Sequence, residues 1–200
     1  MIEEGVDTSK RQFLTAAMTV VGAVGTGYIA VPFLAQMQPS TKAMAAGAPT
    51  EVDISKMETG QLLRVEWRGK PVWLLNRTPE VLEILETLTD KLSDPQSNES
   101  IQPEYAQNTY RSIKPELLIA VGLCTHLGCS PTFRPELAPS DLGPDWKGGF
   151  FCPCHGSWFD LAGRVYRGLP APTNLDIPPH RYVTETLIII GDEAEEGANA

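Results

Sequence analysis

Basic side chains are in short supply in this 200-residue chain: sixteen Lys+Arg stand against twenty-five Asp+Glu, a formal net charge of −9. Nucleic-acid binding needs clustered cations facing phosphate, and no basic run or patch is present, so that function class is set aside. There is also no internal repeat of useful length, so no repeat architecture is expected. Histidine and cysteine are scarcer still, at three and four residues, and nearly all of them fall in two short clusters. The rest of the composition is ordinary. Hydrophobic residues at 42% and charged residues at 20% describe a folded chain and exclude wholesale disorder. A mass of 21.8 kDa is room for one compact domain with an appendage. The acidity is uneven, because the tail at 192–200 holds Asp192, Glu193, Glu195 and Glu196 and no base.

Residues 13–35 contain no charged side chain. As a helix they would run roughly 34 Å, enough to cross a hydrocarbon core of about 30 Å. Gly22, Gly25, Gly27 and Pro32 suit a membrane helix better than a soluble one, and a buried soluble helix usually carries a polar stripe. Just before this span, Ser9-Lys10-Arg11-Gln12-Phe13-Leu14 resembles the twin-arginine export motif, with Lys in place of the first Arg. That route carries folded, cofactor-loaded proteins. A cleaved signal peptide is the rival, since Ala43-Met44-Ala45 has the look of a cleavage site, but its apolar region would be only about 7–15 residues long. The expectation is an uncleaved anchor. Lys10 and Arg11 keep residues 1–12 cytoplasmic and send everything after residue 36 outward.

Residues 36–50 are mostly small and polar and read as a linker. From Glu51 the pattern is β-like, with strands expected at 61–67 and 71–76 around Arg68-Gly69-Lys70. Thr78-Pro79 then opens a helix whose apolar face (Val81, Leu82, Ile84, Leu85, Leu88, Leu92) continues until Asp94-Pro95. Further strands are expected at 117–122, 149–152, 164–166 and 182–190, with dense Pro and Gly between them. The fold class is therefore mainly β. One small antiparallel β domain at 51–191, with a helical insertion, is tethered by a single N-terminal transmembrane helix.

The two clusters are Cys124-Thr125-His126-Leu127-Gly128-Cys129 and Cys152-Pro153-Cys154-His155-Gly156-Ser157, each just after an expected strand. Two such loops can converge at one end of a sheet. Three readings compete. A structural Cys₂His₂ zinc site leaves two thiols over. A disulfide scaffold leaves both histidines idle. An iron–sulfur centre with two ligands from each loop, plus one disulfide, uses all six residues.

This pair of motifs resembles the Rieske iron–sulfur proteins of bacterial respiratory quinol–cytochrome c oxidoreductases, whose [2Fe–2S] centres replace two Cys by two His on one iron. The anchor, the linker, the β domain and Gly168-Leu169-Pro170-Ala171-Pro172 fall in the family's order, so the resemblance covers nearly the whole chain. It implies one [2Fe–2S] cluster per chain, with Cys124 and Cys152 on one iron and His126 and His155 on the other. Cys129 and Cys154 then form the disulfide that joins the loops, which requires the oxidising side of the membrane. Ser157 would donate its hydroxyl to a bridging sulfide, with Gly156 beside it. Leu127 and the loop carrying Gly168, Pro170, Ala171 and Pro172 would shield the cluster from water. Phe159 departs from the many respiratory members that place a hydrogen-bonding Tyr there, which implies a lower reduction potential.

The resemblance further implies one-electron transfer from ubiquinol to a c-type cytochrome, with His155, aided by His126, taking the quinol proton. Partners would be a cytochrome b subunit and a c-type cytochrome subunit in a dimeric complex of the bacterial inner membrane, with the cluster domain periplasmic. Ala43, Ala45, Ala46 and Gly47 would form a hinge on which that domain swings. The rivals are the small Rieske subunit of another exported enzyme such as arsenite oxidase, a soluble Rieske ferredoxin, and a zinc or disulfide domain without redox chemistry. Residues 134–147 lengthen the inter-motif spacing and read as a surface insertion that alters docking. His180, between Pro179 and Arg181, is expected in an exposed loop, and Trp67, Trp73, Trp146 and Trp158 in core or interface positions.

Overall fold

A computed structural model describes residues 7–192; the last eight residues of the acidic tail and the first six of the chain lie outside the described residues. The chain divides into two compact units whose boundary falls between Ala45 and Ala46.

The first unit is dominated by helix α1, Thr8–Gln36, in which Asp7 caps the N-terminus by accepting from the Lys10 N–H. The helix is long and apolar enough to cross a membrane, with a mean hydropathy of 1.6 and no residue of that window buried. Two of its hydroxyls are satisfied internally: Thr15 donates to Arg11 O at 2.8 Å and Thr19 to Thr15 O at 2.9 Å. Such back-bonding is what an apolar surrounding demands of polar side chains. The linker was expected to lack regular structure, and here the structure differs: Thr41–Ala46 form a short helix, α2. Ser40 Oγ accepts from the Ala43 N–H at 3.1 Å, and the alanines that follow are strong helix formers until Gly47 and Pro49.

The second unit is built from three three-stranded antiparallel sheets. Strands β2 (Leu62–Trp67), β3 (Lys70–Asn76) and β4 (Leu117–Val121) form the central one. Its two faces bury different cores. Trp73, Leu75, Leu118 and Ala120 join the core shared with Phe150, Phe159, Cys124 and Cys152. Val72, Leu74, Leu117 and Ile119 join Val52, Trp67, Ile188 and Ile190 on the other side. Burial on both faces explains why β4 reads as an unbroken apolar run. The second sheet orders β1 (Thr50–Asp53), β9 (Leu187–Ile190) and β8 (His180–Tyr182); the third orders β5 (Thr132–Leu137), β6 (Lys147–Cys152) and β7 (Ser157–Phe159).

Several expected boundaries moved. Helix α3 occupies Pro79–Thr87, with Thr78 Oγ1 accepting from the Val81 N–H, but it ends well short of Asp94. Thr87 and Thr89 turn their hydroxyls back onto Ile84 O and Glu86 O, and a 3₁₀ turn at Thr89–Lys91 takes over. Residues 164–166 form only isolated bridges, Phe159 with Val165 and Leu92 with Tyr166. A tight turn prevents a longer strand: Asp160 Oδ1 accepts from both the Ala162 and Arg164 N–H groups. The 134–147 segment is not wholly a surface loop, because β5 extends into it and Trp146 is fully buried. The register shift between Arg134 and Leu137, around Pro135, and the exposed side chains of an edge strand hid that strand from pattern reading.

Candidate metal centre

The two Cys/His loops meet because both hang from the same end of the β5–β6 hairpin. The first loop, leaving β4, feeds into β5, while the second is the turn between β6 and β7, where Cys152 pairs with Ser157. Thr132 pairs with Phe151, which places the loops side by side. Each loop closes in the same way: the Gly128 N–H donates to Cys124 O and the Gly156 N–H to Cys152 O, both at 2.9 Å. These two glycines have φ of +80° and +76°, a conformation that L side chains adopt at a steric cost, although open space surrounds both. Their requirement is conformational.

Cys129 and Cys154 form a disulfide with a Cα–Cα distance of 6.7 Å, locking the two loops together. Cys124 and Cys152 remain free thiols, buried at 3% and 2% exposure within the main core. On the solvent side, the rings of His126 and His155 lie 4.7 Å apart, centroid to centroid, at 87°. His126 is half-buried and His155 exposed. The arrangement is two thiols below, two imidazoles above and a covalent clamp alongside.

This donor set fits a dinuclear group better than a single ion. Around one tetrahedral zinc, with bonds of about 2.0–2.3 Å, the ligand atoms lie roughly 3.3–3.8 Å from one another. Among the described residues the only set of three or more His, Cys, Asp or Glu ligand atoms within 4.8 Å of one another is Cys129, Cys152 and Cys154. Two of those sulfurs are already joined in the disulfide. The free thiols and imidazoles of the two loops therefore do not gather as three or more donors within reach of a single ion.

The surroundings of Cys124 favour its protonated thiol, so ligation itself has to drive the deprotonation. Burial pushes the Cys124 thiol up, the His126 backbone N–H pulls it down, the nearby Cys152 thiol raises it, and the Ser157 hydroxyl lowers it. Ser157 is buried, and its Oγ accepts the Ala171 N–H at 3.0 Å, which leaves its own proton free to donate toward sulfur. That bond, with Thr125 donating to Thr173 O at 2.7 Å, pins the 168–173 loop against both Cys/His loops. Ala171 packs inward while Gly168, Pro170 and Pro172 are exposed. Leu127 is 71% exposed, so it projects from the rim. Phe159 is fully buried in the core that contains the thiols.

His180 overturns its expectation. It is only 2% exposed, because its register opposite Ile190 turns the ring inward, with Nδ1 2.8 Å from Pro178 O. Burial lowers its pKa, and it contributes nothing to the Cys/His loops. Pattern reading also missed a buried polar layer next to the second loop. Asp160 and Arg164 pair at 2.7 Å, Arg164 also reaches Leu85 O, and Asn174 Oδ1 accepts the Val165 N–H. Asp160 and Arg164 at i,i+4 just after the second motif were the available signal.

Residues 1–40 match the family described as "Ubiquitinol-cytochrome C reductase Fe-S subunit TAT signal", and residues 92–179 match the Rieske [2Fe-2S] domain. The chain is 61% identical over 193 residues to the ubiquinol-cytochrome c reductase iron-sulfur subunit of Allochromatium vinosum, covering 96% of this chain and 93% of that protein. The corresponding subunit of Blastochloris viridis is 42% identical over 186 residues, covering 92% and 94%. A chain from the solved structure "Hyperthermophilic respiratory Complex III" aligns with a TM-score of 0.45 and 28% identity over 86% of this chain and 98% of that one.

Proposed function

The chain belongs to the family of Rieske iron–sulfur subunits of ubiquinol–cytochrome c reductase, and from that premise we propose that it takes electrons one at a time from ubiquinol and passes them to a c-type cytochrome. As a Rieske protein it binds a [2Fe–2S] cluster. In this reading Cys124 and Cys152 hold one iron, and His126 and His155 the other. The bound cluster supplies a one-electron acceptor whose neutral imidazole ligands raise its potential above that of all-thiolate centres. The pairing of two buried free thiols with two outward imidazoles supports this division most directly.

The chain's own residues do the rest. His155, exposed at the rim, offers a ring nitrogen to the quinol hydroxyl and accepts its proton. His126, half-buried against it, fixes the angle of approach. Ser157 donates toward sulfur and favours the more negative, reduced state, while the pinned 168–173 loop keeps water from the thiols. The cytochrome b and c-type cytochrome subunits of a dimeric membrane complex are the partners. α1 anchors the chain with its N-terminus cytoplasmic and the β unit periplasmic. The boundary between the two compact units, at Ala45 and Ala46, supports a hinge around Ala43–Gly47, and α2 is the element that would melt or tilt there.

The test is electron paramagnetic resonance of the reduced full-length protein in membranes, alongside quinol-dependent cytochrome c reduction. Wild type should show an average g below 2 and full turnover. His155→Cys should raise the average g or abolish the signal, and should abolish turnover. A wild-type-like signal in that variant would remove His155 from the ligand set.

A further inference from the structure

The interior has a charge balance opposite to that of the whole chain. Among the described residues, the buried charged side chains are Arg77 (2% exposed), Arg111, Arg164 and Asp160 (each 0%). Arg164 and Asp160 neutralise each other through their 2.7 Å ion pair. Arg77 and Arg111 have no buried carboxylate of their own. Arg77 donates to Tyr110 O, Leu161 O and Ser112 Oγ, and its Nε has no partner. Arg111 donates to Ser97 Oγ, Ala162 O, Gly163 O and Gln102 Oε1. The acidic groups that reach them besides Asp160, namely Glu116, Asp94 and Asp176, are exposed or half-exposed. Burial brings both guanidinium pKa values down to about 10, so both stay cationic at neutral pH. Among the described residues the buried arginines and carboxylate thus sum to +2 in a protein of net charge −9.

Their position gives them a target. From Ser157, against the thiols, the chain runs along β7 to Asp160 and then to the Leu161–Gly163 carbonyls that hold both guanidiniums. Three residues of strand span roughly 10 Å, which puts the two cations on the order of 10–15 Å from Cys124 and Cys152. We propose that Arg77 and Arg111 are positioning residues that raise the affinity of the metal centre for its electron, by presenting desolvated positive charge on its buried side. This rests on the ligand set proposed above. Desolvating an unpaired guanidinium is unfavourable for folding, and the field it projects through low-dielectric protein favours the reduced state. At about 12 Å and an effective dielectric constant of about 20, each cation changes the equilibrium for electron uptake by roughly tenfold, which is about 59 mV for one electron. Buried charges are poorly screened, so the effect should persist at high salt.

Redox titration of full-length protein in membranes, read by the reduced-state resonance signal, tests this. Gln102→Glu sets a carboxylate at the position that now accepts from Arg111 Nη2 at 3.0 Å, with almost no change in volume. It should lower the potential by about the tenfold step, equally at low and high salt, with the g values unchanged. Arg111→Met should do the same, and Arg111→Lys should stay near wild type. If Arg111→Met does not accumulate, the Gln102→Glu and Arg111→Lys pair decides. Gln102→Glu titrating at the wild-type potential, or only at low salt, overturns the proposal. A wild-type protein lacking the average-g signal instead overturns the ligand assignment, so the two failures are distinct.

Discussion

The two ends of the β5–β6 hairpin are held by different physics. At one end, a disulfide, two glycine-closed loops and buried hydrogen bonds from Ala171 and Thr125 organise the Cys/His loops. At the other, the turn between Leu137 and Lys147 is dressed with ion pairs: Arg134 to Glu136 and to Asp141, and Lys91 to Asp145. The carboxylates of those pairs are 45–73% exposed, where water and salt compete with the attraction. Covalent and buried contacts specify geometry, whereas solvated ion pairs tolerate change. The extra length in the chain therefore sits at the end of the hairpin away from the Cys/His loops. A hairpin of about six residues per strand also separates it from the Cys/His loops by roughly 20 Å.

The largest test of that contrast is to open the clamp. Cys129→Ser with Cys154→Ser removes a link across 25 residues, which in the chain-entropy account is worth about 3.5 kcal/mol. The unfolding midpoint should fall sharply and the reduced-state signal should weaken or vanish; retention of both would show that the loops need no clamp. A subtler change at the same end is Phe159→Tyr, which adds a donor within the core that contains the thiols. A hydrogen bond of about 1 kcal/mol to cysteine sulfur would raise the potential by roughly 40 mV, and redox titration giving an unchanged or lower value would sink the assignment.

At the far end, Arg134→Ala breaks the pairs to Glu136 and Asp141 together. Only a small fall in unfolding midpoint is expected, with the resonance spectrum unaltered. A changed spectrum would mean that the two ends are coupled. The smallest effect belongs to His180, whose burial holds its pKa below the usual histidine value. The unfolded chain then binds the extra proton first. Stability should be unaffected above about pH 6.5 and should decline as pH falls through that value toward the folded-state pKa. His180→Gln should flatten that part of a pH–stability profile; an unchanged slope would assign the acid sensitivity to other groups.

Much of the fold was legible because some elements carry their signals locally. The uncharged run at 13–35, the Thr78-Pro79 helix start and the hairpin around Arg68-Gly69 each depend on neighbours in sequence, and each appears in the structure. The paired Cys/His motifs were legible for the same reason, since scarce residues at tight spacing leave few alternatives. Elements defined by distant partners were not. β5 and β7 exist because β6 lies between them, and β7 is only three residues long. His180 looked like a loop residue because proline flanks it, yet its pairing with Ile190 turns it inward. The α3 boundary failed because threonine hydroxyls compete for backbone carbonyls near the helix end.

The sequence by itself determined which chemistry is available: four thiols, two imidazoles beside them, a chargeless span to anchor the chain and glycines at the positions that close the loops. Those are properties of residue type and short spacing, and covalent geometry carries them directly into local structure. Only the tertiary structure decided which cysteines remain free, that both free thiols are buried while His155 is exposed, and that Arg77 and Arg111 end up buried without a carboxylate of their own. Burial and pairing depend on segments far apart in the chain, and no local pattern records the dielectric surroundings a side chain will meet once they pack.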